Sequence, residues 1–175
     1  MKGVNVHLKV LTKSEVQASE SQINLFLSNV FNSTVHVELS DEFVCGVVIK
    51  ISAEIIGCGF AYARDMCQGQ FQFKAGIVGA IAVNKDHRGK GLCKQLLRQL
   101  DNKLKTIDVS HSFLFAYEPK TYQSSGYVEL QAPICYFDKS QNKWNQFVYC
   151  GGMVKPFEKR KLASNTVIEF QGCVY

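Results

Sequence analysis

The segment Asn84-Lys85-Asp86-His87-Arg88-Gly89-Lys90-Gly91-Leu92-Cys93-Lys94 joins two apolar patterns of different period. Before it, Gly76 to Val83 is a continuous uncharged run of strand length, as expected of a strand buried on both faces. After it, Lys90 to Lys105 sets Leu92, Leu96, Leu97, Leu100 and Leu104 on one helical stripe and Lys94, Arg98, Asp101 and Lys105 elsewhere. A buried strand feeding a glycine turn and then a helix N-terminus is an anion site. The first helical N–H groups have no carbonyl to bind, and the helix dipole adds ~0.3–1 kcal/mol per charge, up to ~2 when partly buried. Gly89 and Gly91 leave the backbone open to a phosphate.

Two other phosphate motifs are excluded by residue order. A P-loop requires G-x-x-x-x-G-K-[ST], but position 84 is Asn and Lys90 is followed by Gly91. A dinucleotide fingerprint requires a third glycine where Lys94 stands.

The elements that must hold this turn follow from the same periodicities. Val4, Val6, Leu8 and Val10 alternate with polar residues as a half-buried first strand whose other face is wet. Ser14 to Asn32 reads as one or two helices with Ile23, Leu25, Phe26, Val30 and Phe31 apolar. Phe43 to Ala63 reads as an antiparallel hairpin turning at Ser52-Ala53-Glu54, followed by a loop from Arg64 to Lys74. Beyond the central helix, Ser112 to Tyr117 is expected as a strand, Pro119 to Ser125 as a short proline-opened helix, and Val128 to Phe137, Phe147 to Val154 and Val167 to Phe170 as strands. The order is that of an α/β chain with a mixed sheet covered by helices on its faces.

Composition bounds the rest. The 175 residues, 46% hydrophobic and 20% charged, suit one soluble domain spanning 1–175. The net charge of +5 and the short cluster Lys155, Glu158, Lys159, Arg160 and Lys161 fit an anionic small ligand better than nucleic acid, for which a broad basic stripe is expected. The seven cysteines form no C-x-x-C pair and no group with histidines, so no metal site is expected, and they read as reduced thiols of a cytoplasmic protein. His7 and Lys9 interrupt any leader-like run, and no apolar stretch reaches the ~18 residues of a membrane helix.

The run Arg88-Gly89-Lys90-Gly91-Leu92-Cys93 resembles the [QR]-x-x-G-x-[GA] signature of the GNAT superfamily of N-acetyltransferases, with Cys93 where the family has Gly or Ala. Tyr122-Gln123-Ser124-Ser125-Gly126-Tyr127 resembles the family's later Y-x-x-x-G-F segment. Together the two motifs make the likeness strong over Phe43 to Tyr127, with a weaker tail faintly similar to aminoglycoside 2'-N-acetyltransferases and nodulation-type acyltransferases.

The resemblance implies a GNAT fold, a mostly antiparallel central sheet with helices on both faces, and acetyl-coenzyme A as co-substrate. It implies that backbone N–H groups of Gly89, Lys90, Gly91, Leu92, Cys93 and Lys94, beside Arg88, hold the diphosphate. Backbone groups of Ile81, Ala82 and Val83 would pair with the pantetheine arm, Gly79 would mark the bulge that parts this strand from the next, and Tyr122 would protonate the departing thiolate. The acceptor would be a primary amine of a small molecule or peptide; neither nucleic acid nor membrane is an expected partner, and a homodimer is left open. No acidic residue interrupts Gly76 to Val83, so the general base stays open among Asp65, Glu118 and a water relay. The alternative is a non-catalytic acyl-coenzyme A-binding or regulatory module.

Overall fold

The structure is a computed structural model that describes residues 6–147 and 151–175. Val4 of the expected first strand, and the stretch 148–150 of the expected strand Phe147 to Val154, lie outside the described residues. The chain forms two compact units. One is built from residues up to Tyr62 together with Val78–Lys103, the other from Ala63–Ile77 and Leu104–Tyr175.

In the first unit, β1 (Val6–Leu11) pairs antiparallel with β2 (Phe43–Ile51), from Val6↔Ile51 to Leu11↔Gly46. β2 pairs antiparallel with β3 (Glu54–Gln68) from Phe43↔Tyr62 to Ile51↔Glu54, as the two β-branched runs require. Helices α1 (Lys13–Ala18) and α2 (Glu20–Phe31) follow β1. Thr12 and Glu15 form a capping box at the head of α1, and Asn32 ends α2 in the left-handed region at φ 51. Their buried residues are Val16, Ile23 and Leu27, whereas Leu25 is 64% and Phe31 40% exposed, so the apolar stripe of this region is narrower than its composition suggests.

Helix α3 (Leu92–Lys105) covers the opposite face of the same strands. Leu92, Leu96, Leu97, Leu100 and Leu104 are all buried, each worth roughly 1.5–3 kcal/mol over an exposed position. Leu96 and Leu100 seat on Gly57 and Gly59 of β3; a Cβ on Gly59 would lie 3.2 Å from Leu100 Cδ1 and closer still to Ile81. The sequence reading left Asp101 off the buried stripe, yet it is only 3% exposed.

β4 (Phe71–Val83) is the uncharged run extended backwards. The expected loop from Arg64 to Lys74 does not exist. β3 runs on to Gln68 and β4 begins at Phe71, with Gly69 at φ 61 between them. Its residues alternate with period two: Arg64, Met66 and Gln68 are buried and Asp65 is exposed. Polar residues on the buried side disguised the strand.

In the second unit, the end of β3 pairs antiparallel with β10 (Ile168–Glu169), which runs parallel to β7 (Ile134–Asp138), itself antiparallel to β8 (Lys143–Phe147). The start of β4 runs parallel to β5 (His111–Phe115) over Ala75–Ile77. β5 pairs antiparallel with β9 (Gly152–Pro156), which also takes β6 (Val128–Glu129). The expected strand Val128 to Phe137 is thus two strands, broken around Pro133, which cannot donate to a ladder. Helix α4 (Lys120–Gln123) is a single turn capped by Pro119. Phe113 and Phe170 meet edge to face at 5.2 Å in the core, and the buried Arg64 donates from Nη1 to the Phe170 carbonyl at 3.1 Å. Antiparallel pairings predominate in this mixed α/β architecture, with β4–β5 and β10–β7 as its parallel pairs among the described residues.

Candidate active site

The turn from β4 to α3 is built by short-range bonds. Asn84 N–H donates to Ile56 C=O on β3 at 2.9 Å, which fixes where β4 stops. The Asn84 side chain then accepts from Asp86 N–H at 3.0 Å and caps a single 3-10 turn, Lys85–His87. Arg88 is extended, and its Nε donates to Val83 C=O at 3.1 Å; Lys90 Nζ donates to Asp86 C=O at 3.3 Å. Gly89 and Gly91 take φ 74 and 75, a region in which a side chain is strained. The glycines therefore serve conformation as well as room, and a Cβ built on either meets no heavy atom within 4 Å.

The first α-helical bond after the turn runs from Gln95 N–H to Gly91 C=O at 3.1 Å. Helix geometry leaves the N–H groups of Leu92, Cys93 and Lys94 without a carbonyl one turn back. No acidic residue stands in this first turn, while Lys85, Arg88, Lys90 and Lys94 surround it against one carboxylate, Asp86. Leu92 is buried as the anchor, Cys93 is half-buried, and Arg88 to Gly91 and Lys94 are exposed. Burial pushes the Cys93 thiol up, so it stays uncharged at neutral pH and adds no negative charge to an anion site.

Preceding the turn, Ala82 is 2% exposed, and Ile81 and Val83 are intermediate. Beside Gly79 the backbone enters the left-handed region at the next residue. Ala80 holds φ 50, and its carbonyl lies 4.0 Å from Cys58 Sγ. An alanine in this region costs about 1–2 kcal/mol, so its neighbours impose the conformation.

Tyr122 lies in the second unit, on α4, half-buried, with its N–H on Pro119 C=O at 3.0 Å. Contacts that the sequence reading did not foresee hold this segment. Lys155 of β9 donates from Nζ to Ser125 C=O at 2.6 Å and stands 5.6 Å over the Tyr127 ring. Tyr127, 1% exposed, hydrogen-bonds through its hydroxyl to the buried Ser112 Oγ at 2.8 Å, which explains why a tyrosine is tolerated at a phenylalanine position. Asp65 and Glu118, the candidate bases, are exposed. His111 is buried on β5 between Ser110 Oγ (2.9 Å) and Arg160 C=O (3.0 Å), and burial lowers its pKa, which marks it as a neutral core residue. No cluster of three or more His, Cys, Asp or Glu that could hold a metal occurs among the described residues, and no helix there is long and apolar enough to cross a membrane.

The model of the Acetyltransferase (GNAT) domain matches residues 17–129, most of the chain and both motif regions. The chain belongs to the GNAT acetyltransferase family. No curated protein matches the sequence. Among solved structures, the GNAT family N-acetyltransferase YhbS from Escherichia coli in complex with CoA superposes at TM-score 0.67 and 15% identity, over 100% of this chain and 98% of that one. A GNAT family acetyltransferase from Brucella melitensis in complex with acetyl-CoA gives TM-score 0.61 at 10% identity over 93% and 95%. An aminoglycoside acetyltransferase from an uncultured soil metagenomic sample, in complex with sisomicin, gives 0.54 at 14% over 69% and 86%. The chain spans about a third of the length of other matched structures, among them a probable N-acyltransferase from Enterococcus faecalis. These likenesses establish the GNAT fold.

Proposed function

We propose that this protein moves the acetyl group of acetyl-coenzyme A to a primary amine of a small molecule or peptide by direct attack in a ternary complex. The observation that carries the reading is the Arg88–Lys94 turn, where two left-handed glycines deliver three N–H groups of α3 to an open, cationic surface. Those N–H groups bind the diphosphate, with Arg88 and Lys90 braced against their own turn beside it. Backbone groups of Ile81, Ala82 and Val83 pair with the pantetheine arm, and the left-handed Ala80 just before them supports a change of strand direction there. No metal enters the reaction. The whole chain acts as one cytoplasmic domain, a reading favoured by its length and by cysteines that form no C-x-x-C pair.

In the chemical step the amine lone pair attacks the thioester carbonyl, a C–N bond forms and the C–S bond breaks. The thiolate takes the Tyr122 phenolic proton, and the proton lost by the amine passes to Asp65, Glu118 or water. A phenol of pKa ~10 is fully protonated at neutral pH. The test is acetyl-coenzyme A-dependent thiol release with a panel of alkylamines, peptides and aminoglycosides, the last because a structure of the same fold holds sisomicin. An alkylamine of pKa ~10.4 is mostly protonated at pH 7, so the rate should climb from pH 6 to 9. Coenzyme binding without thiol release for any amine would leave a non-catalytic coenzyme-binding module instead.

A further inference from the structure

A cavity in the first unit is lined by none of the residues assigned above to the coenzyme or to proton transfer. It has a volume of about 330 Å³, within the range of small-molecule sites, and lies between α1 and α2 and the strand face they cover. Register explains its lining. His7 stands opposite Lys50, Lys9 opposite Val48 and Leu11 opposite Gly46, so the alternate residues His7, Lys9 and Leu11 share one face with Val48 and Lys50. Val16 of α1 seats against Gly46 at one end of this pair. Toward the other end the polar residues of β1, expected on a wet outer face, look onto a cavity with a floor of Leu11, Ile23, Val48 and Ile55.

Its charge is one-sided. Glu15, the one carboxylate in the lining, is committed: it pairs with Lys9 at 2.8 Å and accepts from Thr12 N–H at 2.9 Å and Thr12 Oγ at 3.0 Å. Those partners, Lys9 first, hold its carboxyl down at about 2, so it stays ionised and occupied across the physiological range. Among the described residues neither Lys50 nor His7 takes part in an ion pair. An apolar floor beside a lysine without counter-charge, with the His7 ring near it, selects an anion with an apolar body.

We propose that this cavity is a second small-molecule site, taking an organic carboxylate whose head meets Lys50 and His7 and whose apolar body lies on Val48 and Ile55. An ammonium ligand would be repelled by Lys50. The proposal does not depend on the acetyl-transfer reading.

The test is a titration of the full chain with benzoate and hexanoate, followed by amide NMR in the presence of excess coenzyme A, with benzamide and benzylamine as neutral and cationic controls. Benzoate is expected to shift the amides of Val48, Lys50 and Ile55 saturably. Lys50→Gln should weaken benzoate about tenfold, the worth of one charge-assisted contact, and leave the weak benzamide response unchanged. Ala18→Phe, at an exposed wall position, should block both ligands while the fold survives. If Lys50→Gln does not fold by circular dichroism, His7→Gln, on the exposed rim, is expected to weaken benzoate in its place. Shifts confined to residues 88–94, equal benzoate affinity in the folded variant and wild type, or equal affinity for benzamide and benzoate would each overturn the proposal.

Discussion

Replacing Gly91 separates two reasons for a glycine at the head of α3. Its φ of 75 lies where an L side chain is strained, and a Cβ built there meets no heavy atom within 4 Å. Gly91→Ala therefore carries a conformational cost of about 1–2 kcal/mol and no clash. For a chain of this size 1 kcal/mol moves Tm by about 2–4 °C, so calorimetry should show a fall of roughly 2–8 °C. Asparagine tolerates the left-handed region, and Gly91→Asn should recover most of that loss. Coenzyme binding should respond differently. Both side chains enter the open space before the N–H groups of Leu92 to Lys94, so both should raise the acetyl-coenzyme A Kd tenfold or more, about 1.4 kcal/mol. Isothermal titration of the two variants decides. A wild-type Kd in Gly91→Asn would show that the diphosphate does not lie at this turn. An unchanged Tm in Gly91→Ala would refute the strain argument.

Cys93→Leu should raise KM for acetyl-coenzyme A, because a branched side chain beside the turn obstructs the donor while helix propensity is kept, whereas Cys93→Gly should bind equally or better; initial-rate kinetics check both. Tyr122→Phe should lower kcat roughly a hundredfold with little change in donor Kd, and a wild-type rate in single turnover would make Tyr122 a packing residue. Stability should fall in alkali. Burial pushes the Cys45 thiol up to about 11 and raises Cys58 and Cys93 as well, so the folded chain keeps protons that the unfolded chain releases above pH ~8.5. For Cys45 that stability is fully present below pH ~8.5 and is lost toward pH 11 at about 1.4 kcal/mol per pH unit, and the raised Cys58 and Cys93 thiols add loss in the same direction. Urea midpoints across that window should decline, and less steeply for Cys45→Ala; a flat series would contradict the burial of these thiols.

The α3 stripe, the β4–turn–α3 order, the Ser52 hairpin and the Asn32 stop were all legible in the sequence, because each is set by residues within one or two turns of one another. Leucines at helical spacing, an asparagine able to enter the left-handed region and glycines where φ is positive act locally. The candidate diphosphate turn was visible for that reason, and the Asn84 cap could have been read from its position before Asp86.

What tertiary structure decided is which face of a regular element is covered and by what. Arg64, Met66 and Gln68 follow a strand period, but only a partner such as the Phe170 carbonyl makes a buried arginine possible, and that partner is 106 residues away. The left-handed Ala80 rests on surroundings that hold alanine in a conformation it does not favour by itself. The support of Lys155 for the Tyr122 segment depends on β9, about thirty residues further along the chain. On β1 the alternation told which residues share a face and that His7 and Lys9 stay exposed, while the β1–β2 register and the short α1 decided that they also rim a cavity. Local propensity acts through neighbours in sequence; burial is a property of whatever distant surface arrives, and no period in the chain encodes its identity.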